Sequence, residues 1–214
     1  FITTCRNTGQ PEEPKKRLYF GGNRLEPPKS EHQWQVICLA LDSGDVLWEK
    51  TVHQGVPEKS LHIKNSFASE TPVTDGEHVY AYFGNVGLYC LTLDGERVWS
   101  KEFPPRDTRH AWGTAASPVL HQDRIYIVND NEEQSQLTAL DKRSGEEIWS
   151  VERDEKSNWA TPCIWENELR TEIITPGTGR TRAYNLDGEL LYEFGGASSI
   201  TIATPYAAHG LLFV

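Results

Sequence analysis

The sequence predicts an all-β fold: a β-propeller of four-stranded antiparallel blades, present here as an incomplete arc of about four blades. One skeleton carries most of that expectation. An apolar residue, Asp, a glycine-containing turn and a large aromatic recur as LALDSGDVLW, LTLDGERVW, ALDKRSGEEIW and YNLDGELLY. The glycine stands four residues before the aromatic each time, in the pairs Gly44 and Trp48, Gly95 and Trp99, Gly145 and Trp149, and Gly188 and Tyr192. The aromatics lie 51, 50 and 43 residues apart, close to the period of propeller blades and too long for leucine-rich or ankyrin repeats. A second landmark keeps step: Thr-Pro or Ser-Pro occurs in SETPV, AASPV, WATPC and IATPY, with prolines at 72, 118, 162 and 205. No segment offers a sustained helical period, so helical architectures fall away.

Taken in order, each unit opens with strand A, which carries the proline. Proline has no N–H to donate, so it belongs on a sheet edge, here the innermost strand. A turn follows (Asp75-Gly76, Gln122-Asp123, Glu166-Asn167, His209-Gly210), then strand B as HVYAYFG, RIYIVND, TEIITPG or LLFV. Ile125, Tyr126, Ile127 and Val128 are apolar at successive positions, as expected of a strand covered on both faces. Strand C ends in Leu-Asp, and strand D carries the aromatic on the outer strand, where a large flat side chain packs between neighbouring sheets.

The repeat phase sets the expected organisation. The blade cores read as about 1–51, 68–102, 114–152 and 158–194, with the start of a further blade at 199–214. FITT at the start looks like a strand B without its strand A, and LLFV at the end like a strand B without C or D. With a first residue Phe, no Met and no signal peptide, the chain is expected to be an internal piece. Residues 5–34 are rich in Pro, Gly and charge and read as an insertion, either a lid or partner-contact loop or an ordinary excursion. Its centre, Leu18-Tyr19-Phe20-Gly21-Gly22, is apolar enough to fold back on the blade.

A formal net charge of −10 leaves no basic surface for phosphate contacts, which argues against nucleic acid as a partner. No apolar run approaches the ~18 residues of a membrane span. The chemical motifs are sparse. Asp130-Asn131-Glu132-Glu133 lacks the spacing and glycine of a calcium loop, Pro176-Gly177-Thr178-Gly179 has no following helix to make a phosphate loop, and the seven histidines show no metal-pair spacing. No catalytic group and no metal ligand is nominated.

A ligand would meet the loops from strand D to the next strand A and from B to C, which converge at one end of the blades. Those loops hold HIKNSFASE (62–70), RHAWGTA (109–115) and SNWAT (157–161), with Asn85, Asp130 and Thr178 opposite. The candidate ligand-binding residues are therefore Asn65, Glu70, Asn85, His110, Trp112, Asp130, Asn158 and Trp159. His110 with Trp112, and Asn158 with Trp159, set a polar group beside a flat ring, which suits a sugar, a peptide or a planar ligand. The alternative is that both tryptophans simply cap the inner strands. Trp48, Trp99, Trp149 and Tyr192 are assigned to docking between blades.

The skeleton of Ala139, Leu140, Asp141, Gly145 and Trp149 resembles the tryptophan-docking repeat of quinoprotein (PQQ-like) β-propellers, across residues 36–194. HAWGTAASPVL, NWATP and SSITIATP are similar to secreted bacterial members, and the chain resembles, more loosely, the outer-membrane assembly lipoprotein propellers that act as protein scaffolds. Thr92 in place of the alanine before Leu93, and Tyr192 in place of tryptophan, depart from the pattern. The resemblance implies a periplasmic or secreted location. In the family's dehydrogenases, adjacent cysteines form a disulfide ring over pyrroloquinoline quinone, beside a calcium ion held by Glu, Asn and Asp. Cys5, Cys38, Cys90 and Cys163 are far apart in sequence, so that ring cannot form within this chain; Cys38 and Cys90 read as small buried residues, with a disulfide left open. The expectation is a non-enzymatic extracytoplasmic scaffold for a protein, carbohydrate or other small ligand, with no cofactor. The alternative is a quinone-dependent oxidoreductase whose quinone and calcium site lies partly outside this chain.

Overall fold

A computed structural model describes residues 1–9 and 26–214, so Leu18-Tyr19-Phe20-Gly21-Gly22 lies outside the described residues. The chain divides into two units, Phe1–Thr114 and Ala115–Val214. In the first, β1 (Ile2–Asn7), β2 (His32–Leu39) and β3 (Val46–Gly55) form one antiparallel sheet in that order. A second sheet runs β4 (Val73–Thr74), β5 (His78–Phe83), β6 (Gly87–Thr92) and β7 (Arg97–Glu102), followed by a single 3-10 turn at Arg109–Ala111. The segment read as an insertion is thus shorter than 5–34, because β1 continues to Asn7 and β2 already begins at His32.

The second unit repeats the arrangement. Its first sheet holds β8 (Val119–His121), β9 (Arg124–Asn129), β10 (Ser135–Asp141) and β11 (Glu147–Arg153), neighbours in sequence order. Its second holds β12 (Cys163–Glu166), β13 (Thr171–Pro176), β14 (Arg180–Tyr184) and β15 (Leu190–Gly195), and a last hairpin pairs β16 (Tyr206–Ala208) with β17 (Leu211–Phe213). Pro72, Pro118 and Pro162 each stand just before an edge strand of four residues or fewer, where a missing N–H breaks no ladder bond.

Burial follows strand position. β5, β6 and β9 are buried almost continuously, as strands covered on both faces must be. The outer strands β7 and β11 instead alternate in exposure with a period of two, and Trp99 and Trp149 sit in the protected phase.

The recurring skeleton has one local explanation. Gly44, Gly95, Gly145 and Gly188 adopt φ of +77°, +84°, +74° and +87°, a region that L side chains enter only with strain. The aromatics Trp48, Trp99, Trp149 and Tyr192 pair with Cys38, Cys90, Ala139 and Ala183, and a β-bulge follows each time. A small residue therefore faces every large ring, and cysteine takes that place in two units. Cys90 is buried, and burial pushes its thiol up to about 12.

Each unit also joins its sheets through a tryptophan. Trp48 Nε1 donates to the Leu93 carbonyl at 2.8 Å, and Trp149 Nε1 to the Leu186 carbonyl at 3.0 Å. Beneath the rings, Trp34, Val36 and Val52 pack with Val79, Ala81, Phe83, Tyr89 and Leu91 in the first unit. Tyr126, Val128, Leu137 and Ala139 pack with Ile173 and Tyr184 in the second. Tyr192 behaves differently: its hydroxyl donates to Glu172 Oε2 at 2.5 Å, within its own sheet.

Candidate functional site

In the first unit the ends of β3 and β7, the start of β2 and the B-to-C hairpin of the second sheet border a cleft of about 410 Å³. This is the end of the blades to which the sequence assigns a ligand. Its apolar wall comes from Trp34, Phe67 and Phe103 together with Val56, Val86 and three prolines, Pro57, Pro104 and Pro105. Its polar groups are His53, Glu58, Lys59, Asn85 and Glu102. The rings are fixed by packing: Trp34 meets His53 edge-on at 5.1 Å and Phe67 at 6.1 Å, and its Nε1 donates to the Phe67 carbonyl at 3.0 Å. Phe103 stands edge-on to Tyr82 at 5.6 Å. Burial depresses the His53 imidazole, with the Glu102 carboxylate opposing.

Of the residues singled out from sequence, Asn85 lies on this cleft, with its Oδ1 accepting the Arg106 N–H at 3.2 Å. Asn65 and Trp112 meet nearby: Asn65 Nδ2 donates to the Trp112 carbonyl at 2.7 Å and to the Thr114 carbonyl at 3.2 Å. The half-buried Trp112 ring lies between His62 at 5.6 Å and His110 at 5.4 Å. His110 is exposed and, like Ala111, holds a positive φ, 54° and 56° respectively. A loop that tolerates two such residues in sequence is held by its surroundings, here by Asn65 and by the Thr108 hydroxyl accepting the Gly113 N–H at 2.8 Å.

Glu70 is inside, 1% exposed. One carboxyl oxygen accepts the Gly84 N–H at 3.2 Å, and Thr114 bonds to it as well. Burial outweighs these bonds and raises the carboxyl to about 7. Counting back from the prolines, the other repeats place Ala116, Ala160 and Ala203 at this position, so the acid is peculiar to one unit.

In the second unit Asp130, Asn158 and Trp159 are all buried. Arg153 clamps Asp130 with two bonds, Nε to Oδ1 at 2.8 Å and Nη2 to Oδ2 at 2.9 Å, and Asn158 Nδ2 donates to the same carboxylate. Arg153 Nη1 also reaches Thr175 Oγ1 at 2.6 Å and the Tyr184 hydroxyl at 3.2 Å. Burial is the largest single influence and works against the Arg153 charge, yet Asp130, Tyr184 and Glu155 together outweigh it and raise the guanidinium above its ordinary value. A parallel pair joins Arg182 to Glu155, which also accepts the Thr178 N–H at 2.5 Å. Gly177 leaves room for this carboxylate: a Cβ there would lie 2.4 Å from the Glu155 carboxyl carbon, so a larger residue would displace the Glu155 side chain.

The quinone site of the resembling dehydrogenases does not fit these residues. Cys5, Cys38, Cys90 and Cys163 are free thiols, on β1, β2, β6 and β12. Asp130 is turned onto Arg153 and Asn158 onto Asp130, and among the described residues no three His, Cys, Asp or Glu side chains converge as metal ligands. Nor is any helix of the described residues long and apolar enough to cross a membrane.

Trp34, His53 and Phe103 were not legible as site residues, and Phe67 lay unnamed in the loop 62–70 that the sequence turns toward a ligand. Trp34 falls within the segment read as insertion, and His53 lies past the expected end of the first blade. The alternation of His32, Trp34 and Val36 is the signal that marks a strand there.

Repeated four-stranded antiparallel sheets, linked in order and bolted by an indole to the next Leu-Asp turn, define the PQQ-like class of β-propeller. A family model described as outer membrane protein assembly factor BamB matches residues 32–193, and the chain belongs to that family. It is 22% identical to the BamB of Salmonella typhimurium over 84% of this chain and 42% of that protein. It is 24% identical to that of Alkalilimnicola ehrlichii over 76% and 37%. The chain thus spans less than half the length of these relatives. Among solved structures, BamB from Moraxella catarrhalis superposes with a TM-score of 0.52 at 13% identity, over 85% of this chain and 47% of that one. The quinohemoprotein alcohol dehydrogenase ADHIIG from Pseudomonas putida HK5 gives 0.52 at 14%, over 81% and 32%. At such identities both describe the fold alone.

Proposed function

We propose that the chain is part of a non-catalytic, extracytoplasmic propeller that holds a protein partner at the loop face of its first unit. The observation that carries this reading is the cleft bordered by Trp34, Phe67 and Phe103, whose rings are fixed in advance by their neighbours. Preset aromatic walls with a few polar groups at the rim favour recognition, because little side-chain freedom is lost on binding. The inward-facing Asp130 and Glu155 support it too, since each already serves an arginine, and Asn158 is spent on Asp130. Membership of a family described as an outer membrane protein assembly factor points the same way. The test is a photo-crosslinking amino acid at Val56, on the cleft rim, in the full-length protein in its own cells. A single identified protein adduct, absent when the label sits at the exposed Leu169, is the expected result. Absence of any adduct, or a visible-spectrum shift with dye reduction after adding quinone and calcium, would overturn it.

A further inference from the structure

The cleft of the first unit also carries a charge pattern that selects what enters it, an inference resting on the reading above. Lys59 is already paired, its Nζ 2.9 Å from Asp107 Oδ1. Burial disfavours the charged form of His53. Glu58 and Glu102 are exposed and line the cleft, and among the described residues neither carboxylate has a side-chain hydrogen bond or an ion pair. What remains is an apolar, partly aromatic floor with two unneutralised negative charges.

We infer that this cleft binds an arginine side chain presented by an extended segment of the partner protein, its guanidinium against the carboxylates of Glu58 and Glu102. A space of about 410 Å³ takes one long side chain with its flanking backbone and is too small for a packed helix. The lining distinguishes between the two long cations. An ammonium is a compact, strongly hydrated charge that loses much on leaving water, whereas a guanidinium is weakly hydrated on its faces and donates in a fork from its edge. Phe67 and Phe103 offer rings for the face, and the rim carboxylates take the edge. Asn85 suits the backbone of the same segment: its Oδ1 already accepts the Arg106 N–H, which orients Nδ2 as the donor left for a peptide carbonyl. The formal charge of −10 favours approach of a basic segment from a distance.

The test uses the full-length protein and two fluorescently labelled hexapeptides, Gly-Ala-Arg-Pro-Ala-Gly and its citrulline twin, which keeps the shape and removes the charge. Binding is read by fluorescence anisotropy at low and high salt. The arginine peptide should bind at least about tenfold more tightly than the citrulline peptide, with the difference shrinking as salt rises. Glu58→Gln and Glu102→Gln should each weaken the arginine peptide about threefold or more and leave the citrulline value unmoved, with melting temperatures confirming that both exposed positions tolerate the change. Equal binding of the two peptides, no binding of either, or undiminished arginine binding by the double variant would overturn the inference. Crosslinking from Val56 separates this from the broader reading. If the double variant still captures the partner undiminished, the face stands and the arginine falls; if the wild type captures nothing, both fall.

Discussion

Trp149 and Leu186 are joined across two sheets: the indole N–H of one donates to the carbonyl of the other at 3.0 Å, and the same carbonyl accepts Arg124 Nη1 at 2.5 Å. The ring therefore contributes through area more than through its hydrogen bond, because a second donor keeps the carbonyl satisfied when the first is removed. Trp149→Phe should lower stability by no more than about 1 kcal/mol, and Trp149→Ala by about 3 kcal/mol, the lower end for emptying a large aromatic site. Denaturant midpoints of the full-length protein give both values. A Trp149→Ala midpoint unchanged from wild type would mean that the ring does not hold the sheets together.

Gly188 tests the same joint from the other side. A Cβ there would sit 3.0 Å from Trp149 Cε3 and 3.0 Å from Val151 Cγ2, on a backbone with φ +87°. Gly188→Ala should cost about 2 kcal/mol, part from the left-handed backbone and part from contact with the ring. In the Trp149→Ala background the backbone part and the Val151 contact remain and only the ring contact is lost, so the cost should fall by up to about 1 kcal/mol. A double-mutant cycle measures this, and strict additivity would remove the contact from the account.

The buried pair of Arg153 and Asp130 makes a sharper prediction. Both side chains are 0% exposed, so removing one partner leaves a charge that the interior cannot hold. Arg153→Met alone should destabilise by about 3–5 kcal/mol, whereas Arg153→Met with Asp130→Asn should recover a large part of that loss. Thermal melts of the two variants decide it. If the double variant is no better than the single, the loss comes from Thr175 and Tyr184, the other partners of Arg153.

What was legible in the sequence was what is local. The turn glycine, the bulge after the small residue and the aromatic lie within about ten residues of one another, and their geometry depends on φ and on a period of two, both visible without a neighbour. Pairings across strands were not legible, so Asp130 read as a loop acid open to ligand although Arg153, 23 residues on, covers it. A signal existed: Trp149, Val151 and Arg153 share one face of β11, and an arginine in phase with two apolar, half-buried residues needs an acid. The cleft was hidden for a different reason. The Pro- and charge-rich composition before His32 masked the start of β2, and with it Trp34. Asn85 was found because it sits on a short hairpin whose position the repeat dictates.

Glu70 ties the first unit to pH. Its carboxyl is raised to about 7 in the folded protein from an ordinary 4.5, because burial disfavours the anion more than Gly84 and Thr114 favour it. The folded state thus holds the proton more tightly than the unfolded chain. Stability on this account is complete below about pH 4.5 and falls as pH rises through about 7, by roughly 3 kcal/mol at most. Glu70→Gln keeps an acceptor for the Gly84 N–H and removes the titration, so its stability should stay level over the same span while the wild type declines. Other carboxylates titrate in both proteins, which makes the difference between the two curves the quantity to measure. Parallel curves from about pH 5 to pH 8 would mean that Glu70 is ionised at no unusual cost.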